Sequence, residues 1–119
     1  MAKAAGSGKR ALKKPLEDGK LCSRYHHAVE LIGRRWSGAL ISVMLAGPQC
    51  FNELLGAVPG LSDRLLTERL RELETEGLVK RTVREGPPVR VSYELTEAGA
   101  SLKPVVESLG KWATKWVKA

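Results

Sequence analysis

Three sets of residues carry chemistry by their type and spacing. Arg64, Thr67 and Arg71 follow i, i+3, i+7 spacing and would form one stripe on a helix. An arginine can donate bidentately to guanine O6 and N7, while a threonine can donate to a base or phosphate or set its methyl beside thymine. Glu68 belongs to the same stripe, and Ser62 just upstream offers a hydroxyl and neighbouring N–H groups to a phosphate. The competing reading is a solvated face held by intrahelical ion pairs. The second set, Lys80, Arg81, Arg84 and Arg90, suits phosphate contact, with plain solvation as its alternative.

The third set is Cys22 with His26 and His27. Lys20, Arg24 and a nearby helix start favour the thiolate, and with it reaction with an oxidant or electrophile. Cys22 and His26 would share a helix face, but a metal needs more ligands and the chain has two histidines in all, so no metal or cofactor is expected. Cys50, beside Phe51, reads as packed and inert. No catalytic residues are expected, because the sequence has no phosphate-binding Gly-rich loop, nucleophile elbow or two-histidine metal helix.

The elements that must position these groups follow from periodicity and punctuation. Ser62 is a good N-cap, residues 63–76 hold strong helix formers without Gly or Pro, and Gly77 suits a left-handed stop. Leu66, Leu70 and Leu73 share one face of that helix, and the Arg64 stripe lies opposite. The helix is acidic on balance, so any affinity for a polyanion must come from placement. Upstream, Leu54, Leu55 and Val58 mark a shorter helix opening near Asn52 and ended by Pro59-Gly60, which makes a helix-turn-helix. Downstream, residues 78–84 are β-branched and basic, Glu85-Gly86-Pro87-Pro88 is turn material, and Val89, Val91, Tyr93 and Leu95 alternate with polar residues. A basic hairpin directly after a helix-turn-helix is a wing.

Two further helices precede this motif, one from Ser23 to Gly33 and one capped by Ser37, with Leu40, Ile41, Met44 and Leu45 as a buried stripe before Gly47-Pro48. Thr96 caps a final helix that Pro104 must kink or shift towards Ser101. In it, Val105, Leu109, Trp112 and Trp116 recur at helical steps, and two readings stand: packing within the monomer, or a dimer interface enriched in large aromatics. Tyr25, Val29 and Trp36 fit either cluster. The fold class is therefore mainly α with a small β-hairpin, an α+β winged helix-turn-helix. Pairing two domains would place recognition helices in successive major grooves, about 34 to 36 Å apart.

The whole chain of 119 residues suits one domain with a tail. Its net charge of +7 favours a polyanionic partner. Six basic residues against two acidic ones put four of those charges in residues 1–20, a Gly-, Ser- and Lys-rich stretch read as a flexible basic arm. The arm either solubilises the protein or adds salt-sensitive phosphate contacts. No run approaches the roughly 20 apolar residues of a membrane span, and no secretory signal is evident, so the expected location is cytoplasmic.

The residues Leu31 to Trp36, Gly47 to Leu54, Pro59 to Ser62 with Leu66 to Leu73, Gly77 to Arg81 and Tyr93 to Gly99 together resemble the HxlR-type winged helix-turn-helix regulators, which share the MarR-like architecture. The resemblance runs from about residue 21 to the end, the expected domain 21–119. It implies a homodimer bound to double-stranded DNA, with the second helix of the motif in the major groove and a dimer interface formed by the N- and C-terminal helices. Members of that family usually carry Cys-Pro before the first helix, where this chain has Cys22-Ser23. In several of them that cysteine senses oxidants, quinones or aldehydes. The expected function is thus a sequence-specific transcriptional regulator, a repressor on a pseudo-palindromic operator, responsive to redox or electrophile stress through Cys22. The alternatives are a winged domain that binds an acidic protein partner, or a ligand-responsive regulator with no cysteine switch.

Overall fold

The computed structural model describes residues 15–118. The chain divides into two units, one ending at Arg34 and the other beginning at Arg35. In the first, Leu16–Glu17 (β1) and Lys20–Leu21 (β2) pair antiparallel, Leu16 opposite Leu21. Asp18 and Gly19 between them have φ of 51° and 76°, the left-handed pair that a two-residue hairpin turn demands and Asp-Gly supplies. Residues 16–20, expected as the end of an unstructured arm, are therefore a hairpin. The rest of that arm, residues 1–14, lies outside the described residues. Helix α1 spans Ser23–Gly33, the expected range, with Cys22 in the N-cap position.

The second unit contains the helix-turn-helix and the wing. Helix α2, Ser37–Met44, is capped by Trp36 rather than by Ser37, which is buried inside the first turn. Gln49–Cys50 forms a two-residue strand, β3, and helix α3, Phe51–Ala57, follows at once with Cys50 as its N-cap. The start expected near Asn52 thus lies one residue earlier. Helix α4, Asp63–Thr75, begins as its sequence requires, with the Ser62 hydroxyl accepting from Leu65 N–H at 3.1 Å.

Its end is a full Schellman motif. Gly77, at φ 78°, donates to the Glu74 carbonyl at 3.0 Å, and Leu78 donates to the Leu73 carbonyl at 2.9 Å. Leu78 and Leu73 are both buried, so the turn is closed by apolar contact as well as by hydrogen bonds. The chain leaves that turn as β4, Val79–Arg84, and returns as β5, Arg90–Leu95. The sheet order is β3-β5-β4, all antiparallel. The expected two-stranded wing therefore has a third strand at its root. As the central strand, β5 is half-buried on both faces, which blurs the alternation its sequence carries.

The core of this unit joins Leu40, Ile41 and Met44 of α2, Leu54 of α3, and Leu66, Leu70 and Leu73 of α4. These are the stripes that helical periodicity assigned. The last segment is two helices, α5 (Glu97–Ala100) and α6 (Lys103–Trp116). Thr96 caps α5 by accepting from Gly99 N–H at 3.2 Å, while Pro104 sits in the first turn of α6, where its missing N–H leaves no bond unmade. A Cβ on Gly99 would collide with the Leu78 carbonyl, so only glycine lets α5 lie this close to the end of the Schellman turn. No helix among the described residues is long and apolar enough to cross a membrane.

Candidate nucleic-acid interface

Burial of Leu66, Leu70 and Leu73 turns the opposite side of α4 outward. Arg64 points outward, its side chain 88% exposed, with Nε donating to Glu68 at 3.2 Å. Arg71 is exposed one turn beyond Thr67. Thr67 differs from expectation in one respect. It is half-buried and its hydroxyl already donates to the Asp63 carbonyl at 2.9 Å, so it offers a methyl and oxygen lone pairs rather than a free donor. Ser62 likewise has its oxygen committed to the cap, leaving only its proton for a phosphate. Glu68 sits between Arg64 and Arg69, whose Nη1 is 4.0 Å away, so it acts within the helix as an arginine holder.

The wing's cations do not form one patch. Directly opposed residues of an antiparallel pair share a face. Lys80 faces Glu94, and Arg84 faces Arg90, on one side of the hairpin; Arg81 faces Tyr93 on the other. Lys80 is held by Glu94 at 3.5 Å. Arg84 and Arg90, at the tip, flank a shallow groove between the wing and the start of α3, with Cys50, Glu53, Thr82 and Ser92 along its walls. Like charges opposed across a ladder repel, so this pair does not stabilise the hairpin.

Cys50 corrects the expectation of a packed thiol: it is exposed. An N-cap side chain points back over the helix start rather than into the core. Its sulfur accepts from Glu53 N–H, and its own N–H donates to the Glu53 carboxylate at 2.7 Å, a capping box. That N–H, and then the Cys50 side chain, holds the Glu53 carboxyl below its usual 4.5. In the first unit Cys22 is a half-buried free thiol at the N-cap of α1, and Tyr25 and Val29 lie exposed on one face of that helix.

On α6, Val105, Leu109, Trp112 and Trp116 are all exposed, the indoles by 58% and 63%. Their steps of four, three and four residues are those of a coiled-coil seam. Packing within this unit, one of the two readings of the stripe, does not cover them. The sequence reading gives Arg69 no role and leaves Trp36 open between two clusters. Arg69 is 9% exposed and bonded to the Arg35 carbonyl, and Trp36 adopts a left-handed φ of 77°. For Arg69 a signal existed, since its angular position on α4 falls beside Leu66 and Leu73 on the core side. Among the described residues no cluster of three or more His, Cys, Asp or Glu is arranged to hold a metal.

A helix-turn-helix with an outward second helix and a basic hairpin behind it defines the winged helix-turn-helix class of DNA-binding domain. The chain belongs to the HxlR-like helix-turn-helix family, which it matches over residues 31–119. The HTH-type transcriptional regulator YvaP of Bacillus subtilis is 42% identical over 102 residues, covering 86% of this chain and 94% of YvaP. The reduced form of the transcriptional regulator YodB from B. subtilis matches with a TM-score of 0.75 and 38% identity, over 82% of this chain and 96% of that one. YodB also has a quinone-bound structure. The redox regulator HypR in its oxidized form matches with a TM-score of 0.76 and 35% identity, over 81% of this chain and 99% of its own. The family is one of DNA-binding transcriptional regulators, and this chain is one of them.

Proposed function

We propose that the protein represses transcription as a homodimer seated on a pseudo-palindromic operator, and that oxidants or quinone-like electrophiles release it through Cys22. The observation that carries the DNA reading is the two-sided α4: three leucines buried behind it, Arg64 and Arg71 exposed in front, and Thr67 half-buried between them. Arg64 and Arg71 would read base edges in the major groove, and Arg84 and Arg90 would grip phosphates from the wing. Ser62 would donate its proton to a phosphate at the helix start. Lys80 and Arg81 would add charge from the two faces of the hairpin, and Glu68 would hold Arg64 rather than touch a base.

The exposed seam of Val105, Leu109, Trp112 and Trp116 supports the homodimer, because such an aromatic stripe is costly to leave in water. Tyr25 and Val29 on α1 would complete the interface. The quinone-bound form of YodB and the oxidized form of HypR support an electrophile or oxidant as effector. Cys22, a free thiol at a helix N-cap, is the sensor we assign. The site of action is the cytoplasm. Selection of bound fragments from genomic DNA, followed by gel shifts with and without reductant, tests the reading. The expected product is a sequence with two-fold symmetry whose half-sites lie about one helical turn apart. Enriched fragments without a dyad, or no enrichment at all, would refute it.

A further inference from the structure

Arg69 lies within α4 but on its core side, about 140° around the helix from Arg64 at ~100° per residue. A leucine there would extend the apolar stripe without the desolvation cost of a buried guanidinium. The charge is instead buried to 9% exposure and anchored. Its Nε donates to the Arg35 carbonyl at 2.9 Å, across 34 residues of sequence, and its Nη1 reaches both Glu72 oxygens at 3.4 Å.

The carbonyl it holds belongs to an unusual corner. Trp36, the next residue, sits at φ 77°, a conformation that a bulky side chain keeps only where its surroundings over-determine it. The Arg35 guanidinium lies over the Trp36 ring at 4.8 Å. The benzo edge of that ring lies against Gly60, itself at φ 90°, where a Cβ would come within 3.3 Å of the indole Cη2. Gly60 is in the turn leading to α4, two residues before its Ser62 cap. The corner is thus gripped at two points along the motif: by Gly60 just before the helix, and by Arg69 two turns into it.

From Arg69 the connection continues outward. Glu68 lies about 40° and Glu72 about 80° around from Arg64, so the carboxylates bridge the arc between the two arginines. Glu68 receives Arg64 Nε at 3.2 Å and lies 4.0 Å from Arg69 Nη1. We propose that Arg69 is a positioning residue for DNA reading: it ties the roll of α4 to the Trp36 corner and, through Glu68, sets the pose of Arg64, without itself meeting DNA. A lysine cannot substitute, because one ammonium cannot give a fixed Nε–H to the carbonyl and a separate Nη to the carboxylates.

The inference rests on α4 being the DNA-reading helix. The experiment measures binding of the parent protein, Arg69→Met and Arg69→Lys to a selected duplex and to a scrambled duplex of equal length, across a salt series. Both variants should lose about tenfold or more in the specific-to-nonspecific ratio, the scale of one misread base pair, while the salt slope of nonspecific binding stays at the parent value. Adding Arg64→Ala to Arg69→Met should cost little further selectivity, since the arginine would already be misplaced. An unchanged ratio, additive effects of the two substitutions, or specific and nonspecific binding falling in parallel would overturn the proposal. Should both Arg69 variants fail to fold, Glu68→Gln at the exposed end of the bridge gives the same readout: a lowered ratio supports the positioning role, and a parental ratio overturns it. A parent that shows no sequence preference would overturn the reading of α4 itself, whereas a selective parent with equally selective variants would overturn this inference alone.

Discussion

Replacing Arg64 with alanine separates base reading from the solvated alternative. In the free protein the side chain is 88% exposed, and its partner is Glu68, at 3.2 Å. An exposed i, i+4 pair of this kind contributes about 0.3–0.5 kcal/mol, and a bidentate arginine–guanine contact about 1–3 kcal/mol. The base contact wins by a margin wide enough that the ion pair cannot hold Arg64 back from the groove. Subtracting the pair leaves a loss of about 0.5–2.7 kcal/mol of discrimination per half-site, a factor of about 2–100 at one base pair. Stability should move by less than about 0.5 kcal/mol, because the removed atoms are in solvent and alanine is a better helix former. Competition anisotropy with all four base pairs at each operator position would show preference collapsing at one position and persisting elsewhere. A uniform loss across every position, or none, would refute the assignment of Arg64 as a reader.

Arg90→Ala or Arg84→Ala should instead weaken binding to all sequences alike and reduce the logarithmic salt slope by about one; a change in base preference would contradict their role at the phosphates. Trp112→Ala should weaken dimerisation by about 2–4 kcal/mol, read as the dimer dissociation constant by sedimentation equilibrium, and an unaltered constant would place the dimer contact elsewhere. Glu53→Gln tests the α3 cap. Because the folded carboxyl titrates below its usual 4.5, its stabilisation is complete above that value and is lost as pH falls through the lower folded one, so the substitution should destabilise near neutrality and flatten the acid limb of denaturant midpoints against pH. Cys22→Ser should bind DNA like the parent while losing the response to diamide or quinone; a retained response would move the sensor to another group.

Local patterns carried much of this protein. Three leucines at helical steps announced which side of α4 is buried, Ser62 and Gly77 marked its ends, and the β-branched run around Gly86-Pro87-Pro88 marked the wing. Each is a property of a few neighbouring residues, because caps, turns and periodicity are satisfied within one element. The exposed Trp112 and Trp116 were legible as a stripe, but only the folded chain showed that its own unit leaves them uncovered. The third strand at the wing root, the split of its cations between two faces and the exposure of Cys50 depend on register and on where a two-residue strand meets a helix. Arg69 marks the boundary most clearly. Its angle on the helix was readable, yet its partner is a carbonyl 34 residues away, at a corner whose left-handed φ no local sequence rule assigns to tryptophan. A buried charge persists only where distant groups meet it, and that meeting is decided by tertiary structure.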